Sequence, residues 1–487
     1  MIDRVLVCLA VVSAQAATAG AQAIPSPSTR MASPEGLPPR SPASGGLPSD
    51  MAQPANSNPP PSGGTPADAG SPGTGERSQP PSAEVAPTET EGVAAAADTN
   101  WLARFLGIED SPVKVYGWIQ NSYTGNTNGT PRNDSNFSVF PNRLANRWQG
   151  NQYYVIFERP FATSDKLDLG FRVDTLFGND WQFTKDWGLF DRAFKPNSFA
   201  GVDLPQLYVE AHLPVLTAGG LDLRLGRYYT PSGFESVQAV KRPLLSVPYM
   251  FNYSPFTYLG LQSILHVNPQ LSVCNALVNG NDRWLDERYH VNYHGGYSWT
   301  SKDATTTWAS YVLVGPDQLP TFPAMNQPFL PLGVEQSPAA WAGRNNPLYA
   351  HHPRTYFDTV VTHKWTKKLT QASEAFFIID TKVPLSNGTV ANEASWYGYA
   401  NWFLYTFDPD EKFTGVWRSE VFEDTKGTAT GVAGTYYEMT LGLIYKPKPW
   451  LWIRPEARYD WNHFAKPFSD GTRGSQFLLA FDVIVQF

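Results

Sequence analysis

The 487-residue chain contains no run of about 18 apolar residues, the length that a membrane-spanning helix needs. Its mean hydropathy is only −0.33. If the chain crosses a membrane, it does so as strands. Cysteine is nearly absent, with Cys8 and Cys274 as the two examples. Cys8 falls in a segment expected to be removed, so the exported chain would keep one thiol and no internal disulfide. Cys274 lies in an apolar run and reads as a small buried or lipid-facing hydrophobe. An excess of positive charge is also missing. The net charge is −7, of which residues 24–98 carry −5 from three Arg and eight acids. That balance excludes the basic field of a nucleic-acid binder.

Catalytic spacing is absent as well. His290 and His294 share a strand face, but four residues of strand separate them by about 13 Å, too far to ligate one metal. His351 and His352 have no acidic partner nearby in sequence. No catalytic, metal or cofactor site is therefore expected, and an outer-membrane hydrolase would need residues converging at a rim that the sequence does not offer.

What the chain does have is 42 Pro, 39 Gly, 16 Trp, 23 Tyr and 28 Phe, a composition unsuited to a helical protein. Three segments follow. Residues 1–23 read as an export signal: Arg4, an apolar run over 5–12, then small residues with Ala-Gln-Ala at 21–23 before the cleavage point. Val7 before Cys8 argues against a lipoprotein. Residues 24–99 are rich in Pro, Ser, Gly and Ala, with no aromatic residue. They cannot bury enough apolar surface to offset ordering entropy and are expected to be a disordered spacer in reach of the cell wall. Residues 100–110 add a short amphipathic helical turn, and 100–487 form one domain.

In that domain the hydrophobic period is two. Sixteen candidate strands run from 113–123 to 475–487, most of them 9–12 residues long, the length of a tilted crossing. Every odd-numbered connection, 9 to 40 residues, is longer than every even-numbered one, 3 to 7 residues. A soluble sandwich has no reason to keep that asymmetry. An outer-membrane barrel does, with short periplasmic turns and long outer loops. The expected fold is all-β: a transmembrane antiparallel up-and-down β-barrel of about 16 strands, both termini in the periplasm. The terminal segment 475–487 sets Phe477, Leu479, Phe481, Val483, Val485 and Phe487 on one face. It reads as the closing strand, pairing with 113–123, and Phe487 as an assembly signal for the barrel-assembly machinery. Pro455 should face outward beside a bulge. Tyr436, Tyr445, Trp450, Tyr459, Trp461 and Phe487 fit aromatic girdles.

Charged residues on such strands belong inside, because at the lipid midplane each costs roughly 2–4 kcal/mol. By parity the pore-lining candidates are Glu158, Arg172, Asp174, Glu210, Arg224, Arg418, Glu420, Glu438, Arg454, Glu456, Arg458 and Asp460. They would set a transverse field, or else form cross-strand ion pairs that stiffen the wall. The connection 231–255 carries Glu235, Lys241 and Arg242 among Phe234, Leu244, Leu245, Val247, Tyr249 and Phe251. A loop so apolar suits the inside of the barrel, as a constriction, or a neighbouring protomer. Connection 315–354 is a second plug candidate.

Several stretches also resemble one family. They are 106–129 (LGIEDSPVKVYGWIQNSYTGNTNG), FERP at 157–160, 170–184 (GFRVDTLFGNDWQFT), LPQLYVE at 204–210, LGRYYTPSGFESV at 225–237, YSPFTYLG at 253–260 and NGNDRW at 279–284. Together they are similar to the outer-membrane β-barrel porins called OmpL-like, clearly over 101–314. The resemblance implies a porin-like barrel in a Gram-negative-type outer membrane and brings no catalytic motif, ligand or site residue. A barrel this wide can enclose water, so the expected function is a porin-like channel for passive diffusion of small hydrophilic solutes, in contact with outer-membrane lipid and open to homo-oligomerisation. The alternatives are a barrel acting as adhesin or cell-wall anchor, and a secreted carbohydrate-binding β protein.

Overall fold

Alternating side chains make the strands, and the strands make a closed wall. The structure, a computed structural model, describes residues 101–487 apart from 109, 133, 138–140, 164, 187–188, 191–198, 285–290, 317–352 and 385–389. The expected signal peptide and spacer, and most of connection 315–354, lie outside the described residues, as do His290, His351 and His352. The strands are β1 (Lys114–Asn126), β2 (Arg147–Arg159), β3 (Asp168–Gly178), β4 (Gly201–Asp203), β5 (Leu207–Leu213), β6 (Leu221–Tyr229), β7 (Thr257–Asn268), β8 (Leu271–Asn281), β9 (Asn292–Thr300), β10 (Thr306–Gly315), β11 (Arg354–Lys364), β12 (Leu369–Pro384), β13 (Val390–Thr406), β14 (Phe413–Asp424), β15 (Gly434–Lys448), β16 (Leu451–Asn462) and β17 (Ser475–Gln486).

Each strand pairs antiparallel with its neighbour in sequence, and β17 returns to pair with β1. β4 and β5 share one stave. Asp203 pairs with Leu176 and Leu207 with Val173, so the chain carries one extra residue there, at Pro205. The result is a closed, sixteen-stave antiparallel transmembrane barrel. Among the described residues no helix is long and apolar enough to cross a membrane.

The burial rhythm gives each strand two faces. On β17 Gln476, Leu478, Ala480, Asp482 and Ile484 are buried, while Phe477, Leu479, Phe481, Val483 and Val485 face outward. The same holds for Leu169 out and Arg172 in on β3, and for Tyr459 out and Arg458 in on β16. Cys274 turns inward and is buried, with Gln262 as its neighbour, so it does not face lipid. Tyr436 is likewise inside, against Tyr249, and does not join the girdle; Tyr445, Tyr459 and Trp461 do stand outside.

Two boundary expectations change and a third is met. The eleventh connection is short, because β12 and β13 continue outward and leave only 385–389 between them. Backbone pairing between them continues to Pro384↔Val390, so the odd-even rule fails there. Pro455 faces outward with an irregularity nearby, as expected: the register holds across it, from Gly442↔Glu456 to Tyr445↔Ile453, and shifts between Tyr445 and Lys448, next to the turn. The missing Pro donor costs local ladder bonds to β15, while the other edge still aligns Pro455 with Phe481. Finally, β17 pairs with Trp118 to Asn126, so the seam sits further along β1 than 113–123.

A helix, Trp101–Leu106, precedes β1. Its Leu102 and Leu106, with Ile108 and Val115, form a small cluster that also takes in Val155, Phe157 and Phe487. Gly117 and Phe487 exchange both backbone hydrogen bonds at 2.9 Å. The end of β17 is thus fixed by pairing and by apolar packing together. Phe487→Ser keeps the pairing but removes the packing, and should lower the folded, heat-modifiable fraction in an outer-membrane assembly assay without reducing export. Wild-type folding yield would show that the packing is dispensable.

Candidate functional site

The segment between β6 and β7, residues 230–256, lies inside the barrel. Its backbone leaves regular structure, so its amides and carbonyls need partners that lipid-facing walls cannot give. The inner wall supplies them. Glu420 accepts from the Tyr249 and Met250 amides at 2.6 and 2.7 Å. Glu456 accepts from Leu245 and Ser246 at 2.9 and 3.1 Å. Asp358 and Glu374 accept from the consecutive amides of Gly233 and Phe234 at 3.0 and 2.8 Å. In the opposite sense, Arg418 donates to the Ser246 carbonyl at 2.6 Å, Arg454 to the Ala239 carbonyl at 3.0 Å and Arg458 to the Val247 carbonyl at 2.6 Å.

Apolar packing adds to this clamp. Leu244 and Ala239 cluster with Trp118, Tyr154, Ile156, Trp452 and Ile484 of the wall. Phe234, Tyr249 and Met250 cluster with Trp396, Trp402, Phe376 and Phe422. At Gly442 a Cβ would come within 2.3 Å of the Leu244 side chain, so the missing side chain lets the loop approach β15. The loop therefore crosses the lumen with a core of its own.

The sequence-derived candidates divide into two groups. On β14–β16 the clamp consumes the charges. Arg418 bridges Glu235 and Glu438, each at 3.0 Å, and Arg454 pairs with Asp482. Arg458 pairs with Asp460 at 2.8 Å. Arg418 and Glu438 side chains are fully buried, so they set no field in water. On β2–β6 the pairs are Arg172 with Glu158 (3.2 Å) and Asp174 (2.8 Å), and Arg224 with Glu210 (3.1 Å). Here only Asp174 is fully covered, and Arg224 also lies over the Tyr208 ring at 4.3 Å.

Of the three loop candidates, Glu235 takes the Trp402 indole N–H at 2.7 Å besides Arg418. Burial pushes its carboxyl up, and Arg418 opposes that shift. Arg242 is buried on Asp180 at 3.0 Å. Lys241 is half-buried and lines a small, partly open recess beside the stems of the loop, with Thr230, Glu235, Phe251 and Glu374. His294 is buried between the rings of Tyr258 and Tyr311 and, among the described residues, belongs to no cluster that could hold a metal ion.

Sequence reasoning missed Asp358, Glu374, Asp482 and the amides Gln152 and Gln238. Strand parity marks the three acids as inward. Nothing local marks Gln152, which receives the Ala239 amide at 3.0 Å and donates to the Val237 carbonyl at 2.6 Å. Its role depends on where a distant loop lands.

Comparison with protein families matches residues 112–487 to the model of Putative beta-barrel porin-2, OmpL-like. Comparison with curated proteins finds no match. Among solved structures, the chain is similar to OprB of Pseudomonas putida at high pH (TM-score 0.51, 12% identity, 80% of this chain and 97% of that one). It is also similar to an anion-selective porin from Comamonas acidovorans (0.49, 7%, 77% and 99%) and to the outer-membrane channel DcaP of Acinetobacter baumannii (0.47, 9%, 77% and 97%). At these identities the likeness to OprB concerns the fold alone.

Arg418 carries the densest part of the clamp. Arg418→Met would strand the Glu235 and Glu438 carboxylates in a dry interior, a loss of about 3–5 kcal/mol when one partner of a buried pair is removed. Urea unfolding in detergent should register that loss. Gly442→Val, which breaks no polar bond, should instead displace the loop by steric pressure, read as faster proteolysis within 230–256.

Proposed function

Because the chain belongs to the OmpL-like family of outer-membrane β-barrel porins, we propose that it is an outer-membrane channel for passive diffusion of small hydrophilic solutes, narrowed by the loop 230–256. The observation that carries this reading is the loop itself. A sixteen-stave barrel is wide enough to hold water, and this one spends a folded segment and many buried ion pairs on its interior. A barrel serving only as an anchor has no need of a shaped lumen; a selective passage does. The partly exposed charges on β2–β6 supply polar surface for a solute.

In this reading Glu235 and Arg242 hold the constriction in place and Lys241 faces its edge. The export signal and outer-membrane location follow from the same proposal, with the short turns in the periplasm. The spacer, the assembly role of Phe487 and any homo-oligomer are consistent with it and are independent of it.

Planar-bilayer recording tests the proposal. The purified barrel should give discrete conductance steps, and removal of 236–250 should enlarge them several-fold. A folded, heat-modifiable barrel without steps would favour the adhesin or anchor reading. Steps unchanged by the deletion would leave a channel but remove the loop as its constriction.

A further inference from the structure

Resting on the channel reading, the geometry points to a narrower one: solute passes along the β2–β6 sector of the wall, and Arg224 and Glu210 set charge selectivity there. The charges of β14–β16 hold the loop and do not face solute. Two independent features separate the sectors.

The first is accessibility. Side-chain exposure is 23% for Arg224, 12% for Glu210 and 17% for Glu158, against 0% for both Arg418 and Glu438 and 1% for Arg458. An ion in water meets the first set and is shut out from the second. The second feature is the kind of bond that seats the loop. Toward β14–β16 the bonds are charge-assisted, from Arg418, Glu420, Arg454, Glu456 and Arg458. Toward β2 and β3 such bonds are fewer, the buried Arg242–Asp180 pair and Gln238 on the Asp174 carboxylate, and amide side chains share the task. Gln152 holds the backbone of Val237 and Ala239, and Gln238 reaches Asp174 at 3.2 Å and the Tyr154 hydroxyl at 3.4 Å. Charge-assisted bonds are roughly twice as strong as neutral ones, so the loop is anchored more densely toward β14–β16 and yields more readily on the other side. Water and solute take the yielding side.

That sector presents paired guanidinium and carboxylate groups beside the Tyr208 ring. Such a surface suits small, strongly hydrated ions and zwitterions. The pair is close to balanced, so removing one member exposes the other.

The experiment is reversal-potential measurement across a KCl gradient, with thiol accessibility as its second arm. Arg224→Gln should shift the reversal potential toward cation preference and Glu210→Gln toward anion preference. In a Cys274→Ser background, Glu210→Cys should react with a small charged methanethiosulfonate and lose current. Thr440→Cys, on the buried face of β15, should not react. Conducting channels in which neither reversal potential moves, or in which position 440 reacts and 210 does not, would overturn the sector assignment while keeping the channel. Absence of conductance from the wild-type barrel would overturn both.

Discussion

Everything inside this barrel depends on one constraint: an irregular backbone placed in a β-barrel lumen must find hydrogen-bond partners there. Buried amides and carbonyls left unpaired cost about 1–3 kcal/mol each. The loop 230–256 meets the constraint by borrowing charged side chains from the opposite wall, which is why Glu420 and Glu456 each receive two consecutive amides. The neighbouring wall acids Glu438, Asp482 and Asp460 pair with Arg418, Arg454 and Arg458, which also donate to loop carbonyls. Loop and wall are therefore one polar network, and neither half is satisfied without the other.

This changes what inward-facing charge means in the molecule. Inner-wall charges in a barrel are ordinarily read as groups in contact with water. Here those of β14–β16 are structural. Glu235 illustrates the point, since its carboxyl sits between the Trp402 indole and the Arg418 guanidinium, with no water-facing task. The barrel carries two apolar phases. One is the outer band that meets lipid, and the other is an interior core in which Leu244 and Ala239 pack on Trp118 and Trp452.

Much of the architecture was legible because it obeys a period of two. The inward position of Arg172, Arg454 and Asp460 follows from parity, as does the outward face of β17. The interior loop was legible from its apolar composition, and the six apolar residues singled out in 231–255 are all buried. The failures share a cause. Parity tells which way a side chain points and nothing about what it meets, so Tyr436 passed for a girdle residue and Arg418 for a pore charge. The outer reach of β12 and β13 escaped for another reason: pairing there is set by the neighbouring strand, and the sequence at 380–394 carries turn-like residues all the same. Gln152 and Gln238 were invisible, because a neutral amide becomes a loop contact only through a meeting of residues 85 positions apart.

The two sides of the loop then follow from different economies. A lumen closed by ion pairs on all sides would be rigid, since each broken pair leaves a buried charge and costs several kcal/mol. A lumen closed by amides on all sides would not hold an apolar segment in one register. The chain concentrates charged contacts on β14–β16 and uses amides with one buried ion pair, Arg242 with Asp180, on the β2–β3 side, so position is fixed mainly by one wall and more freedom remains at the other. Gly442 fits this division, for it lets Leu244 sink into the anchored side. The asymmetry of the loop's bonding, more than the number of charges in the wall, decides where the interior can open.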